Sequence, residues 1–153
     1  MWERMEMKTY KLFFDGGIKG GNPGGTPSYG FAIKCNKKTV CECCGVLEDV
    51  PRTNNVAEYY ALLLGLWAIA EFINTTKAEK IIIYGDSELV IKQMDGTYDV
   101  NSEHLKRIYI QCNLIIRDLI VYHNIDIEFV WIPREQNRRT DRLARNGYDN
   151  YIQ

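Results

Sequence analysis

The sequence predicts an α/β fold: one five-stranded mixed sheet, three antiparallel strands then two parallel ones, flanked by helices. Three observations predict it. Three runs of strand character follow one another through short connections in the first third of the chain. Thr53–Ile73 then reads as a long helix, apolar on almost every side, which belongs against a sheet rather than on a surface. Beyond it, strand and helix patterns alternate. The whole order, βββαβααβα, is that of a sheet with helices on its faces.

Lys8–Phe14 alternates, with Tyr10, Leu12 and Phe14 on one side, and is the first predicted strand. Asp15-Gly16-Gly17 closes it, and Gly16–Pro27, with six glycines and two prolines, reads as a loop. Neither GxGxxG nor GxxxxGK[ST] fits there, so no phosphate-cradle motif is assigned. Ser28–Lys34 and Thr39–Leu47, joined by the polar turn Cys35–Lys38, complete an antiparallel meander. Glu48–Arg52, containing Pro51, leads into the central helix, for which Asn54 or Asn55 is the expected N-cap. Glu58 falls in its first turn.

After Asn74–Glu79, the run Lys80–Gly85 is apolar without alternation, the pattern of a strand buried on both faces in parallel pairing. It ends on Asp86-Ser87. Glu88–Met94 is a short helix, Asp95-Gly96 a turn, and Ser102–Tyr122 a helix striped by Leu105, Ile108, Cys112, Ile115, Ile116 and Leu119. Asp126–Ile132 is the last strand, Pro133 breaks it, and Gln136–Tyr151 is the closing helix carrying Asp141. Residues 1–7, polar and charged with Met7 an alternative start, are expected as a flexible extension of a single domain, 8–153.

At 153 residues the chain has the length for one domain with a sound core. No signal-peptide pattern opens it and no apolar run is expected to span a bilayer, so a cytoplasmic, monomeric protein with no membrane partner is expected. A net charge of −1 argues against gripping nucleic acid through bulk positive charge. It leaves room for local patches such as Arg134, Arg138, Arg139, Arg142 and Arg145, set against Glu135 and Asp141. Three of the five cysteines crowd into Cys41–Cys44 without the partners a zinc site requires. They read as reduced thiols packed in strands. A hairpin disulfide from Cys35 to one of the later three stays open for a hyperthermophilic source.

Four acids stand out by position. Asp15 ends the first strand, Asp86 the fourth, Glu58 opens the central helix and Asp141 lies in the closing one. Each alone has an ordinary explanation: Asp15 and Asp86 as turn residues, Glu58 as a complement to the helix dipole, Asp141 as a surface residue. Together they do not. If strands one and four pair side by side, the two aspartates meet beyond the strand ends, where open α/β sheets bind ligands. Acids gathered there repel and take up protons unless a cation intervenes. Hard oxygen ligands suit Mg²⁺ or Mn²⁺, and two such ions about 4 Å apart assist in-line phosphoryl displacement.

Asp15-Gly16 with Gly21-Asn-Pro-Gly24, Thr53-Asn54-Asn55 leading to Glu58, Asp86-Ser87, and Asp141-x-Leu143-Ala144 together resemble the ribonuclease H type 1 family. The blocks keep the family's order over nearly the whole chain. The resemblance implies a ribonuclease H-like fold and an endonuclease that hydrolyses the RNA strand of RNA–DNA hybrids by two-metal-ion catalysis, giving 5′-phosphate and 3′-hydroxyl ends. It assigns Asp15, Glu58, Asp86 and Asp141 as metal-binding and catalytic carboxylates. It places Gly16, Asn22, Thr53, Asn54, Asn55 and Ser87 at the substrate. An amide offers donor and acceptor to a 2′-hydroxyl that is both, while turn and cap roles remain open for Asn22, Asn54 and Asn55.

Two departures bear on mechanism. Many relatives carry a basic insertion before the long later helix; here Gln93–Asn101 is short and holds two acids. Weak affinity and steep salt dependence are expected, with Lys92, Lys106 or Arg107 as substitute contacts. Many relatives also place a mobile histidine in the loop before the last aspartate. This chain has Glu135 there, a candidate catalytic substitute or simply a first-turn acid, with Arg134 and Arg138 as candidate phosphate contacts. The shorter pattern resembles archaeal and some bacterial members, a few of which cut double-stranded RNA. Rival readings are a same-fold nuclease acting on double-stranded RNA or DNA, a non-catalytic hybrid-binding module, and a small-phosphoester phosphatase.

Overall fold

The computed structural model describes residues 8–21 and 24–153. Strands β1 (Thr9–Lys19), β2 (Thr26–Cys35), β3 (Lys38–Val46), β4 (Lys80–Gly85) and β5 (Asp126–Trp131) form one sheet in the order β3-β2-β1-β4-β5. The first three pair antiparallel, and β4 joins both β1 and β5 in parallel. This is the mixed sheet the sequence predicts. The predicted extension at residues 1–7 and the substrate contact at Asn22 lie outside the described residues.

β1 does not stop at Asp15. It runs on through the glycines, pairing Gly16 with Tyr29, Gly17 with Ser28 and Lys19 with Thr26, so both ends of the expected loop are strand. The reason is packing. A Cβ on Gly16 would lie 2.2 Å from the Ala57 carbonyl oxygen, so glycine here admits a neighbouring backbone rather than a turn. At the next hairpin, Asn36 (φ 50°) and Lys37 (φ 68°) supply the two left-handed residues that a tight β2–β3 connection needs.

Helix α1 spans Asn54–Thr75, and its N-cap is Thr53, not Asn54 or Asn55. Extended backbone at Thr53 lets its hydroxyl accept the Val56 N–H at 3.3 Å, while both asparagines are already helical. Glu58 therefore sits in the second turn, and the helix-dipole explanation for it lapses. By length and composition α1 is apolar enough to cross a membrane, contrary to the expectation that no run is. It lies instead against the sheet: Tyr59, Leu62, Leu66 and Ile69 pack on Leu12, Phe14, Ile33, Ile81 and Ile83.

Helix α2 (Glu88–Met94) is capped by Ser87 and tied to α1 by Tyr59 Oη donating to Gln93 Oε1 at 2.6 Å. Helix α3 (Glu103–Val121) packs on α1. The expected closing helix is split: a 3-10 turn at Arg134–Gln136, a non-helical Asn137, then α4 over Arg138–Tyr151. α4 covers β2 and β3 on the sheet face opposite α1, and does so closely. A Cβ on Gly147 would stand 2.6 Å from the Gly45 nitrogen, and one on Gly30 2.7 Å from the Leu143 Cβ. All five cysteines are free thiols.

Candidate active site

β4 ends at Gly85, whose partner on β1 is Phe14. β1 continues with Asp15, now paired only to Gly30 of β2. Asp15 and Asp86 are thus the first residues past the end of one parallel ladder, which makes them neighbours. Glu58 arrives from the second turn of α1, where Gly16 lets that helix approach. The Gly16 N–H donates to Glu58 Oε2 at 3.2 Å. One carboxylate oxygen from each of Asp15, Glu58 and Asp86 lies within 4.8 Å of the others.

These acids are held against their own repulsion. Burial, then the Asp86 charge, pushes Asp15 up to about 7, while a hydrogen bond from Glu58 opposes the rise. Burial and the Asp15 and Asp86 charges raise Glu58 well above the carboxylate range. Asp86 is also raised, chiefly by burial. Without a cation, Glu58 and Asp15 share a proton. Three oxygen ligands converging from two strands and a helix, at this cost in repulsion, fit a divalent cation.

Asp141, in the first turn of α4, lines the same cleft of ≈ 390 Å³ but is not one of the tight three. Its carboxylate pairs with Arg134 at 3.6 Å and Arg145 at 3.4 Å, and its charge contributes to raising both Asp15 and Asp86.

Gly16, Asn54, Asn55, Ser87 and Arg134 line the cleft as well. Asn54 Oδ1 accepts the Ile18 N–H at 3.1 Å, and the Ser87 hydroxyl is engaged with Val90 N–H at 3.3 Å. Thr53 is spent as a cap and, with Glu135 and Arg138, is not among the lining residues; the latter two are exposed.

Sequence reasoning passed over Asn137. It is buried, donates from Nδ2 to the Phe14 carbonyl at 2.9 Å, and hydrogen-bonds Asp86, which lowers that acid. Its own carbonyl accepts from Asp141 N at 3.1 Å and from Thr140 Oγ1 at 3.0 Å. One residue thereby joins β1, the Asp86 carboxylate and the start of α4. The signal was a cap-type residue four before Asp141 and four after Pro133. Trp131 adds a bond from Nε1 to the Asp86 carbonyl, 3.1 Å.

The model of the reverse transcriptase-like family matches residues 14–147, a span that takes in all four acids. Among solved structures, LC11-RNase H1 in complex with an RNA/DNA hybrid is 30% identical, covers 94% of this chain and 99% of its own, and superposes with a TM-score of 0.82. RNase H1 from the halophilic archaeon Halobacterium salinarum is 31% identical over 93% of this chain and 98% of its own, at TM-score 0.77. The chain belongs to the ribonuclease H type 1 family. Among curated proteins, the bifunctional protein Rv2228c of Mycobacterium tuberculosis is 35% identical over 63% of this chain. Ribonuclease HI of Halobacterium salinarum is 33% identical over 90%. This chain spans 24% of the former's length and 63% of the latter's.

Proposed function

We propose that this chain is a metal-dependent endoribonuclease that hydrolyses the RNA strand of RNA–DNA hybrids, leaving 5′-phosphate and 3′-hydroxyl ends. The observation that carries the reading is the convergence of Asp15, Glu58 and Asp86 within 4.8 Å, with Asp141 in the same cleft. Asp15, Glu58 and Asp86 would hold Mg²⁺ or Mn²⁺, with Asp141 completing the set when a second ion enters with substrate. Bound there, the ions supply water activation and neutralise charge on the leaving oxygen.

The chain's own groups do the rest. Asn54 and Asn55, exposed at the cleft rim, offer amides to 2′-hydroxyls of the strand to be cut. Arg134, exposed and lining the cleft, offers a guanidinium to a backbone phosphate once Asp141 releases it. Glu135 sits beside it on the 3-10 turn, outside the lining of the cleft, and its proposed part is in product departure rather than in binding the ions. Lys106, a substitute contact for the missing basic insertion, is already paired with Glu103 at 3.6 Å. A weak, salt-sensitive grip on hybrid follows.

The test is a gel assay on RNA–DNA hybrid, double-stranded RNA and DNA duplex, each with Mg²⁺, Mn²⁺ or EDTA. Hybrid cut only in the presence of a divalent ion supports the reading, and Asp86→Asn should abolish the cut. Cleavage of DNA duplex, or full turnover in Asp86→Asn, would overturn it. Hybrid binding without cleavage in any metal would point to a binding module instead.

A further inference from the structure

On β1, Tyr10, Leu12 and Phe14 face the core, so Lys11, Phe13 and Asp15 face the other side of the sheet. α4 covers that side over β2 and β3, where Gly30, opposite Asp15, meets Leu143. Further back along β1 lies a second cleft of ≈ 420 Å³, lined by Thr9, Lys11, Phe13, Lys34, Asn36 and Lys37. Lys11 and Lys34 are direct cross-strand partners, a like-charge juxtaposition that repels unless an anion sits between them. Lys34 Nζ lies 5.4 Å from the centre of the Phe13 ring, which stacks at 4.8 Å on Tyr84. Phe13 is thereby engaged by a cation and a neighbouring ring, and the cleft presents charge rather than a free stacking surface.

Lys37 is carried into the cleft by the left-handed hairpin, where Asn36 adds an amide. Among the described residues none of these three lysines is in an ion pair. The acid whose charge feels Lys34, Glu42, is taken by Arg139, whose Nε donates to it at 2.7 Å. Three ammonium groups without an ion-pair partner around one hollow attract anions to it. Lys11 stands four residues from Asp15 on the same side of the strand, about 13 Å away at ordinary strand rise, within reach of the same polyphosphate backbone.

We propose that Lys11, Lys34, Lys37 and Asn36 form a second phosphate-binding site that takes the backbone of a nucleic-acid strand, apart from the carboxylate cluster. The choice of a nucleic acid as the polyanion rests on the nuclease reading above; the anion site itself does not.

The experiment measures binding of labelled single-stranded DNA by fluorescence anisotropy as a function of salt. The wild-type chain is compared with Lys11→Gln/Lys34→Gln/Lys37→Gln and with Lys37→Gln alone, all in EDTA. Loss of three phosphate contacts lowers the slope of log affinity against log salt by about 2, and loss of one by roughly 0.7. Inorganic phosphate should compete only weakly, whereas a long unlabelled strand should compete fully. With hybrid and Mg²⁺, the triple variant should keep the wild-type kcat and show a raised KM. An unchanged salt slope in the triple variant, or no DNA binding by the wild type, would overturn the proposal. Equal competition by inorganic phosphate and by the strand would overturn its nucleic-acid part. A wild type that binds DNA with this slope but cuts no hybrid would sink the nuclease reading and leave the site standing.

Discussion

Replacing Asp15 by asparagine should make the metal-free protein more stable at pH 8 while abolishing catalysis. The folded-state carboxyl of Asp15 is raised from 3.8 to about 7 by burial and by the Asp86 charge. An acid raised by folding binds more protons in the native state than in the unfolded one. Its penalty is therefore absent below pH 4, grows as pH climbs, and is complete above pH 7. At about 1.4 kcal/mol for each pH unit between the two values, the ceiling is about 4 kcal/mol. Glu58 shares the proton, so roughly half of that, about 2 kcal/mol, is the expected gain on neutralising Asp15. In a chain of this size the melting temperature should rise by roughly 4–8 °C. Thermal unfolding followed by circular dichroism in EDTA at pH 4 and pH 8 measures it. Mg²⁺ at pH 8 should in turn stabilise the wild type more than the variant. An Asp15→Asn difference that is negative, or the same at both pH values, would refute the electrostatic argument.

Gly16→Ala drives a Cβ into the Ala57 carbonyl at 2.2 Å; we expect about 3 kcal/mol of destabilisation by urea titration, with activity lost as α1 is pushed off β1. Asn137→Ala leaves the buried Phe14 carbonyl unpaired, costing about 1–3 kcal/mol. It also removes a bond that lowers Asp86, so the acidic limb of the pH–rate profile should move to higher pH. A profile that stays put would make Asn137 a purely structural residue. Glu135→Ala should lower turnover partly while KM holds, and wild-type steady-state rates would remove Glu135 from the mechanism.

Much of this was legible in the chain because distinct physical signals agreed. Continuous apolarity at Lys80–Gly85 marked a strand in parallel pairing, and it is one, between β1 and β5. Only one face is fully buried, however: Ile81, Ile83 and Gly85 are buried while Ile82 and Tyr84 on the other face are half-buried. The neighbouring positions of Asp15 and Asp86 followed on the condition that strands one and four pair, which they do. The glycines misled because the same residue serves turns and tight packing, and only the approach of Ala57 tells which applies at Gly16. Thr53 and Asn54 are both good caps, and one residue of helix offset decided between them and moved Glu58 out of the first turn. Asn137 was hidden for another reason: its partners, Phe14 and Asp86, are distant in sequence, and a lone asparagine before a helix announces only a cap.

The seat of α4 carries a last consequence. With Gly147 lying on Gly45 and Gly30 beneath Leu143, the helix rests main chain on main chain, with little side-chain padding to slide or re-form. Where Asp141 stands is therefore decided largely by steric fit, with the Arg139–Glu42 pair clamping α4 to β3, and Arg134 and Arg145 hold its carboxylate from either side. Exchanging those arginines should turn the fourth carboxylate without relocating it, whereas bulk added at Gly147 should carry it bodily out of reach.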